Sequence, residues 1–169
     1  MGNIILCGFM GCGKTTIGNA LAELSERPLV DTDTLIVQDA GISINEIFSR
    51  YGESHFRDLE HKICCTLSLQ DGLIVSPGGG ALTFERNAQA LKQNGGKIFL
   101  LDVPVEIIEE RLQDDDTRPL LNVPNRGEVL QELYNKRLPL YRACADFVIN
   151  AALPPQDVAL NIMHIAGIS

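Results

Sequence analysis

Between an apolar run at residues 3–7 and a set of helically spaced apolar side chains lies Gly8-Phe9-Met10-Gly11-Cys12-Gly13-Lys14-Thr15, with a second hydroxyl at Thr16. Two glycines five positions apart, then Lys, then Ser or Thr, form the phosphate-loop pattern. The glycines let the backbone curl so that successive N–H groups point inward at a phosphate chain. Lys14 adds a point charge for the outer phosphates, and the Thr15 hydroxyl suits a Mg2+ ion. The flanks agree with the loop. Residues 3–7 have strand character, and Ile17, Ala20, Leu21 and Leu24 recur at helical spacing from a helix opening near Lys14. A strand feeding a glycine loop and then a helix N-terminus is an anion site to which the helix dipole adds. A chance turn has the glycines but not these flanks, so nucleotide phosphate binding follows.

The chain of 169 residues is read as one domain, residues 1–169, long enough to bury roughly 70% of its unfolded surface. No apolar run is long enough to span a bilayer. No basic region precedes the first apolar stretch, so no signal peptide is expected, and the expected location is cytoplasmic. A net charge of −8 argues against nucleic-acid and membrane partners, which a positive field would attract. It also sets a problem, because nucleotides are anions: their site must use local arginines, Mg2+ and backbone N–H groups against the overall field. The five cysteines contain no C-x-x-C pair, which excludes a disulfide framework or zinc site. Cys7 and Cys144 read as small core residues. Cys12 lies inside the anion loop, where N–H groups and Lys14 favour its thiolate unless burial opposes them.

Further along, residues 28–31 read as a second strand ending in acid, followed by a short polar-apolar segment to Gly41. Ser43 and Glu46 form a capping box for a helix that stops at Gly52, and a longer helix follows over residues 53–69. A third strand (73–76) ends in Pro77-Gly78-Gly79-Gly80. A helix (83–93), a fourth strand (97–101) and a helix entered through Pro104 follow. Residues 113–127 hold three consecutive aspartates, two prolines and two arginines with little periodicity. The next helix (128–142) contains Pro139, which is expected to kink or break it. A fifth strand (147–149) and a last helix (155–165) close the chain. Short apolar strands alternating with helices imply a three-layer α/β domain whose parallel sheet is covered on both faces. Ligands of such a sheet bind at the carboxyl ends of its strands.

Three strand ends carry unusual chemistry: the phosphate loop, Asp31-Thr32-Asp33, and the triple glycine. In an extended conformation Asp31 and Asp33 point to the same side, so one carboxylate could hold Mg2+ and the other accept a proton from an attacking hydroxyl. Asp102, after the apolar run at 97–101, competes for the metal, and spacing does not choose between them. Gly78, Gly79 and Gly80 invite close backbone approach by a ligand. Arg57 and Glu60 share a helix face. Arg118 sits in the irregular segment, where an arginine could close over charge developing in phosphoryl transfer.

Together these residues resemble the shikimate kinase family: GFMGCGKTT, Asp31-Thr32-Asp33, Phe56-Arg57 with Glu60, the triple glycine, Arg118-Pro119-Leu120-Leu121 and Arg137-Leu138-Pro139-Leu140-Tyr141 occur in the family's order. The resemblance implies a P-loop kinase fold with a five-stranded parallel sheet ordered 2-3-1-4-5, a mobile lid at about 112–126 and a helical shikimate-binding region at about 33–62. It implies transfer of phosphate from ATP to the 3-hydroxyl of shikimate, on the route to chorismate and the aromatic amino acids, by a monomer. On this resemblance Gly11, Cys12, Gly13, Lys14, Thr15 and Thr16 hold the phosphates, Arg111 flanks the adenine, and Thr15 with Asp31 serves Mg2+. Asp33 binds ring hydroxyls and acts as base. Arg57 and Arg137 grip the shikimate carboxylate, Gly78, Gly79 and Gly80 form the substrate turn, and Lys14 with Arg118 stabilises transferring charge. The acidic stretch 112–116 is expected to weaken ATP binding by repulsion. A gluconate kinase, the nearest rival, needs no clamp of two arginines. A guanine-nucleotide switch would carry Asn-Lys-x-Asp after a strand, whereas Asn135-Lys136-Arg137-Leu138 lacks the aspartate.

Overall fold

The structure is a computed structural model that describes residues 2–115 and 117–169, without the side chain of Pro119. Asp116, the third aspartate of the acidic run, lies outside the described residues. Strands β1 (Ile4–Cys7), β2 (Leu29–Asp31), β3 (Ile74–Ser76), β4 (Lys97–Asp102) and β5 (Phe147–Asn150) form one sheet in the order β2-β3-β1-β4-β5. Every pairing is parallel, with Ile5 beside both Val75 and Ile98 at the centre. Among the described residues, seven helices flank the sheet: α1 (Lys14–Ser25), α2 (Thr32–Ala40), α3 (Ile44–Ser68), α4 (Glu85–Lys92), α5 (Val105–Arg111), α6 (Arg126–Cys144) and α7 (Pro155–Ala166).

The strands are central because of what they bury. Ile5, Leu6, Ile74, Val75, Ile98 and Phe99 have essentially no exposed surface. Side chains alternate between sheet faces, so strands buried throughout require cover above and below. Alternation of short strands with helices therefore fixes the architecture expected from the sequence.

A second, smaller core lies off the sheet. Ile36 of α2 packs with Ile47 and Phe56 of α3, flanked by Ile42, Ile44, Leu59 and Ile63. Ser43 caps α3, its hydroxyl accepting from Glu46 N at 3.1 Å, as the capping box requires. Inside α3, Gly52 adopts φ 84°, ψ 172°, a break in the helical path at the predicted stop. The helix therefore changes direction one turn before Arg57. The helical region expected at about 33–62 spans α2 and α3 up to residue 62.

The polar-apolar segment after Asp31, whose own pattern named no element, is a helix, α2, whose N-cap is Asp31 itself: its Oδ1 accepts from Thr34 N at 3.2 Å. Only Thr32 and Ile36 are buried along it, so it carries too faint an apolar stripe to be read as helical. One expectation fails: Pro139 does not break its helix, because α6 runs unbroken from Arg126 to Cys144. Tyr141, fully buried two residues beyond, and Leu130 anchor α6 on both sides of the proline. Tertiary packing thus outweighs the hydrogen bond that Pro139 removes.

Candidate active site

The loop residues leave β1 and turn into α1. Gly11 (φ 76°) and Gly13 (φ 90°) occupy the left-handed region, which a side chain would strain. Gly13 stands at the N-cap of α1, and its carbonyl accepts the first helical bond from Ile17 N at 2.8 Å. Thr15 and Thr16 are exposed in the first turn, at the positive end of the helix dipole. Arg111, the last residue of α5, donates from Nη1 to Gly11 O at 3.0 Å and so pins the loop from outside.

Cys12 does not behave as its position in the loop suggested. Its side chain is buried, its backbone N–H donates to Phe9 O at 3.1 Å, and its sulfur packs against Gly8, where a Cβ would lie 2.4 Å from it. Burial pushes the thiol pKa up despite Lys14. Of the two readings the sequence left open for Cys12, burial favours the packed thiol, because desolvation outweighs one nearby cation.

A cleft of about 550 Å³ opens at the carboxyl ends of β1, β2 and β3. Gly11, Cys12, Gly13, Lys14, Thr15, Thr16, Asp31, Asp33, Gly78, Gly79, Arg111, Arg118 and Arg137 all line it, as do Pro77 and Tyr141. Asp102 is not among the lining residues. Four basic side chains face two carboxylates there, which answers how an acidic protein makes room for an anion: the positive field is local. Lys14 Nζ donates to Pro77 O at 2.6 Å, spanning from α1 to the end of β3.

Asp33 sits in the first turn of α2, so the extended geometry that would set it alongside Asp31 is corrected to a helical one. Asp31 is exposed at the strand end, while Asp33 turns inward and its Oδ1 is buried with no hydrogen-bond partner among the described residues. Burial first, then the neighbouring Asp31 charge, raises the Asp33 pKa, and Lys14 and Arg57 hold it down. Gly78 explains the fit, since a Cβ there would stand 2.2 Å from Asp33 Oδ1. Its N–H donates to Thr32 Oγ1 at 2.8 Å, tying the glycine turn to α2. Gly79 has open space where a Cβ would be.

Arg57 and Gly80 lie just beyond the cleft lining. Gly80 (φ 87°) closes the turn, and a Cβ on it would approach Arg57 Nη2 to 3.2 Å. Arg57 stacks over Phe56 and Phe84, 5.3 and 5.0 Å from the ring centroids. Its Nη1 donates to both oxygens of Glu60, at 2.9 and 3.2 Å. Its Nε is buried without a hydrogen bond, 3.6 Å from Glu53 Oε1. Arg137 comes from α6, beside Tyr141, whose hydroxyl is pushed up to about 12 by burial against the opposing pull of Arg137. Arg118 is half exposed between α5 and α6, 3.6 Å from Asp115 Oδ2.

The donor set fits Mg2+ in one specific way. No group of three His, Cys, Asp or Glu residues is present among the described residues. The Thr15 hydroxyl and an exposed Asp31 suit an ion that keeps several waters and takes its other oxygens from phosphates. The Asp31 cap engages only Oδ1.

Sequence reasoning missed the Pro77 carbonyl, the packing of Gly78 on Asp33, and Tyr141 as a wall of the cleft. The first two join residues 63 and 45 positions apart in the chain, and no local signal announces such a contact. Tyr141 lay within a quoted motif without a role.

A family model described as shikimate kinase matches residues 10–166. A shikimate kinase of Caldicellulosiruptor bescii is 42% identical over 166 residues, covering 98% of this chain and 95% of that one. A solved shikimate kinase from Acinetobacter baumannii, in complex with shikimate, superposes with a TM-score of 0.86 at 38% identity, covering 98% of this chain and 93% of that chain. The crystal structure of a shikimate kinase from Aquifex aeolicus gives 0.83 at 32% identity, covering 98% and 96%.

Proposed function

The chain belongs to the shikimate kinase family, and on that premise we propose how its own residues phosphorylate shikimate. It is a kinase that takes its phosphate from ATP and places it on the 3-hydroxyl of shikimate. The observation that carries the residue roles is the single cleft holding Lys14, Asp33 and Arg137, with Arg57 one glycine away.

The triphosphate lies over the loop amides and the N-terminus of α1, with Lys14 toward the outer phosphates. Arg111 holds the loop through Gly11 and flanks the adenine. Thr15 and Asp31 would hold Mg2+, which would supply neutralisation of phosphate charge. Arg57 and Arg137 grip the shikimate carboxylate from α3 and α6, and the Gly78–Gly80 turn lets the ring approach the backbone. Asp33 accepts a ring hydroxyl. The 3-hydroxyl oxygen forms a bond to the γ-phosphorus as the bond to the β–γ bridging oxygen breaks. The hydroxyl proton passes to Asp33, and the bridging oxygen leaves on ADP with the negative charge. Arg118 closes from the segment at about 112–126 over the charge that develops. We place the protein in the cytoplasm as a monomer, and its negative charge speaks against nucleic-acid or membrane-surface partners.

A coupled ADP-release assay with shikimate and with gluconate tests the reading. Turnover with shikimate alone is expected, the product carrying its phosphate at the 3-position by 31P-coupled NMR. Turnover with gluconate and none with shikimate would overturn it.

A further inference from the structure

Glu60 is fully buried, and a buried carboxylate has to be hydrogen-bonded to be tolerated. Burial raises its pKa and Arg57 draws it back. Arg57 spends one nitrogen, Nη1, on both of its oxygens. The other donor is Asn87 of α4, itself only 1% exposed.

The Asn87 amide contacts three residues on two chain segments. Its Nδ2 stands 3.4 Å from Glu60 Oε1 and donates at 2.9 Å to the carbonyl of Ala81. Its Oδ1 lies 3.0 Å from His61 Nδ1. The two acceptors beside Nδ2 fix the orientation of the amide, so His61 donates to it. Ala81 directly follows the triple glycine, and its N–H returns to Gly78 O at 3.1 Å. One buried side chain thus joins the helix that carries Arg57 to the turn that carries Gly79 and Gly80.

We propose that Asn87 is a positioning residue for recognition of the shikimate carboxylate. It fixes Glu60, so that Glu60 takes Nη1 of Arg57 and leaves the Nη2 side turned to Gly80, and it sets the glycine turn at the matching height. This rests on the reading of Arg57 as a carboxylate ligand. A buried amide engaged at both ends loses its geometry when either partner is removed.

The test is steady-state kinetics of the full chain with Asn87→Ala, and with Asn87→Leu, which keeps the shape of the side chain and fills its space if the smaller variant folds poorly. Either should raise KM for shikimate about 5- to 30-fold, the scale of a lost buried hydrogen bond, with KM for ATP unchanged within about twofold. In an Arg57→Ala background the same substitution should add less than about twofold, because its effect passes through Arg57. Equal losses for both substrates, or an additive loss in that background, would reduce Asn87 to a packing residue and overturn the proposal. The two readings fail separately. If Arg57→Ala leaves KM for shikimate unchanged, the carboxylate clamp itself is wrong. If Arg57→Ala raises it and Asn87→Leu does not, only the Asn87 proposal falls.

Discussion

Asp33 is held where it is less stable as an anion than it would be in water, with Oδ1 buried and no hydrogen bond to it among the described residues. Its pKa is raised by burial and by Asp31, which has opposite consequences for activity and for stability. As a base Asp33 must be ionised, so turnover falls as pH drops through its raised pKa. Stability has the opposite sign. In the window between the ordinary carboxylate pKa and the raised one, the folded state binds more protons than the unfolded state, so stability is lost as pH rises through it. Asp33→Asn should therefore raise Tm at neutral pH, with the gain vanishing below the ordinary carboxylate range, where both states are protonated. It should lower turnover by roughly 10² or more while leaving ATP affinity nearly intact. Calorimetry across pH beside kinetics checks both, and a variant that keeps most of its turnover contradicts the base role. The neighbouring Gly78 belongs to the same argument, because only a residue without a Cβ leaves the carboxylate its place. Cys12 shows the converse: the loop's charge was visible in the sequence, whereas the burial that outweighs it was not.

At the level of elements, α6 is where local rule and packing disagree. Pro139 lacks the N–H that would bond within the helix, yet the helix continues to Cys144 and seats Arg137 and Tyr141 on the cleft. Pro139→Ala should stabilise the chain by about 1–3 kcal/mol, the cost of proline inside a helix, read as a higher urea midpoint with an unchanged slope. A lower midpoint would mean that the proline itself is part of the packing. What was legible in the sequence follows the strength of its pattern. Strands β1, β3 and β4 are nearly all apolar and were plain, and so was the stop at Gly52. Helix α2 was legible only through the family resemblance, because only two of its residues are buried and its cap, Asp31, has the residue type of a metal ligand. The arginines proposed for the substrate stood out only jointly: Arg57 with Glu60 alone reads as an ordinary surface pair, and nothing local shows that Phe56 and Phe84 bracket the guanidinium.

Over the whole molecule, sheet order decides which residues meet. Because β3 lies between β1 and β2, the triple glycine emerges beside both the phosphate loop and Asp31. Helices α3 and α6 carry Arg57 and Arg137, the two residues proposed to grip the shikimate carboxylate. The molecule carries a net charge of −8, so affinity for its anionic ligands depends on these few local cations, and removing one should act selectively. Calorimetric titration of shikimate into the wild-type chain, Arg57→Ala and Arg137→Ala measures this most directly. The account predicts shikimate binding weaker by about 10- to 100-fold in each variant, the scale of a lost charge-assisted hydrogen bond, with ATP affinity changed by less than about threefold. Undiminished shikimate affinity in both variants would contradict it.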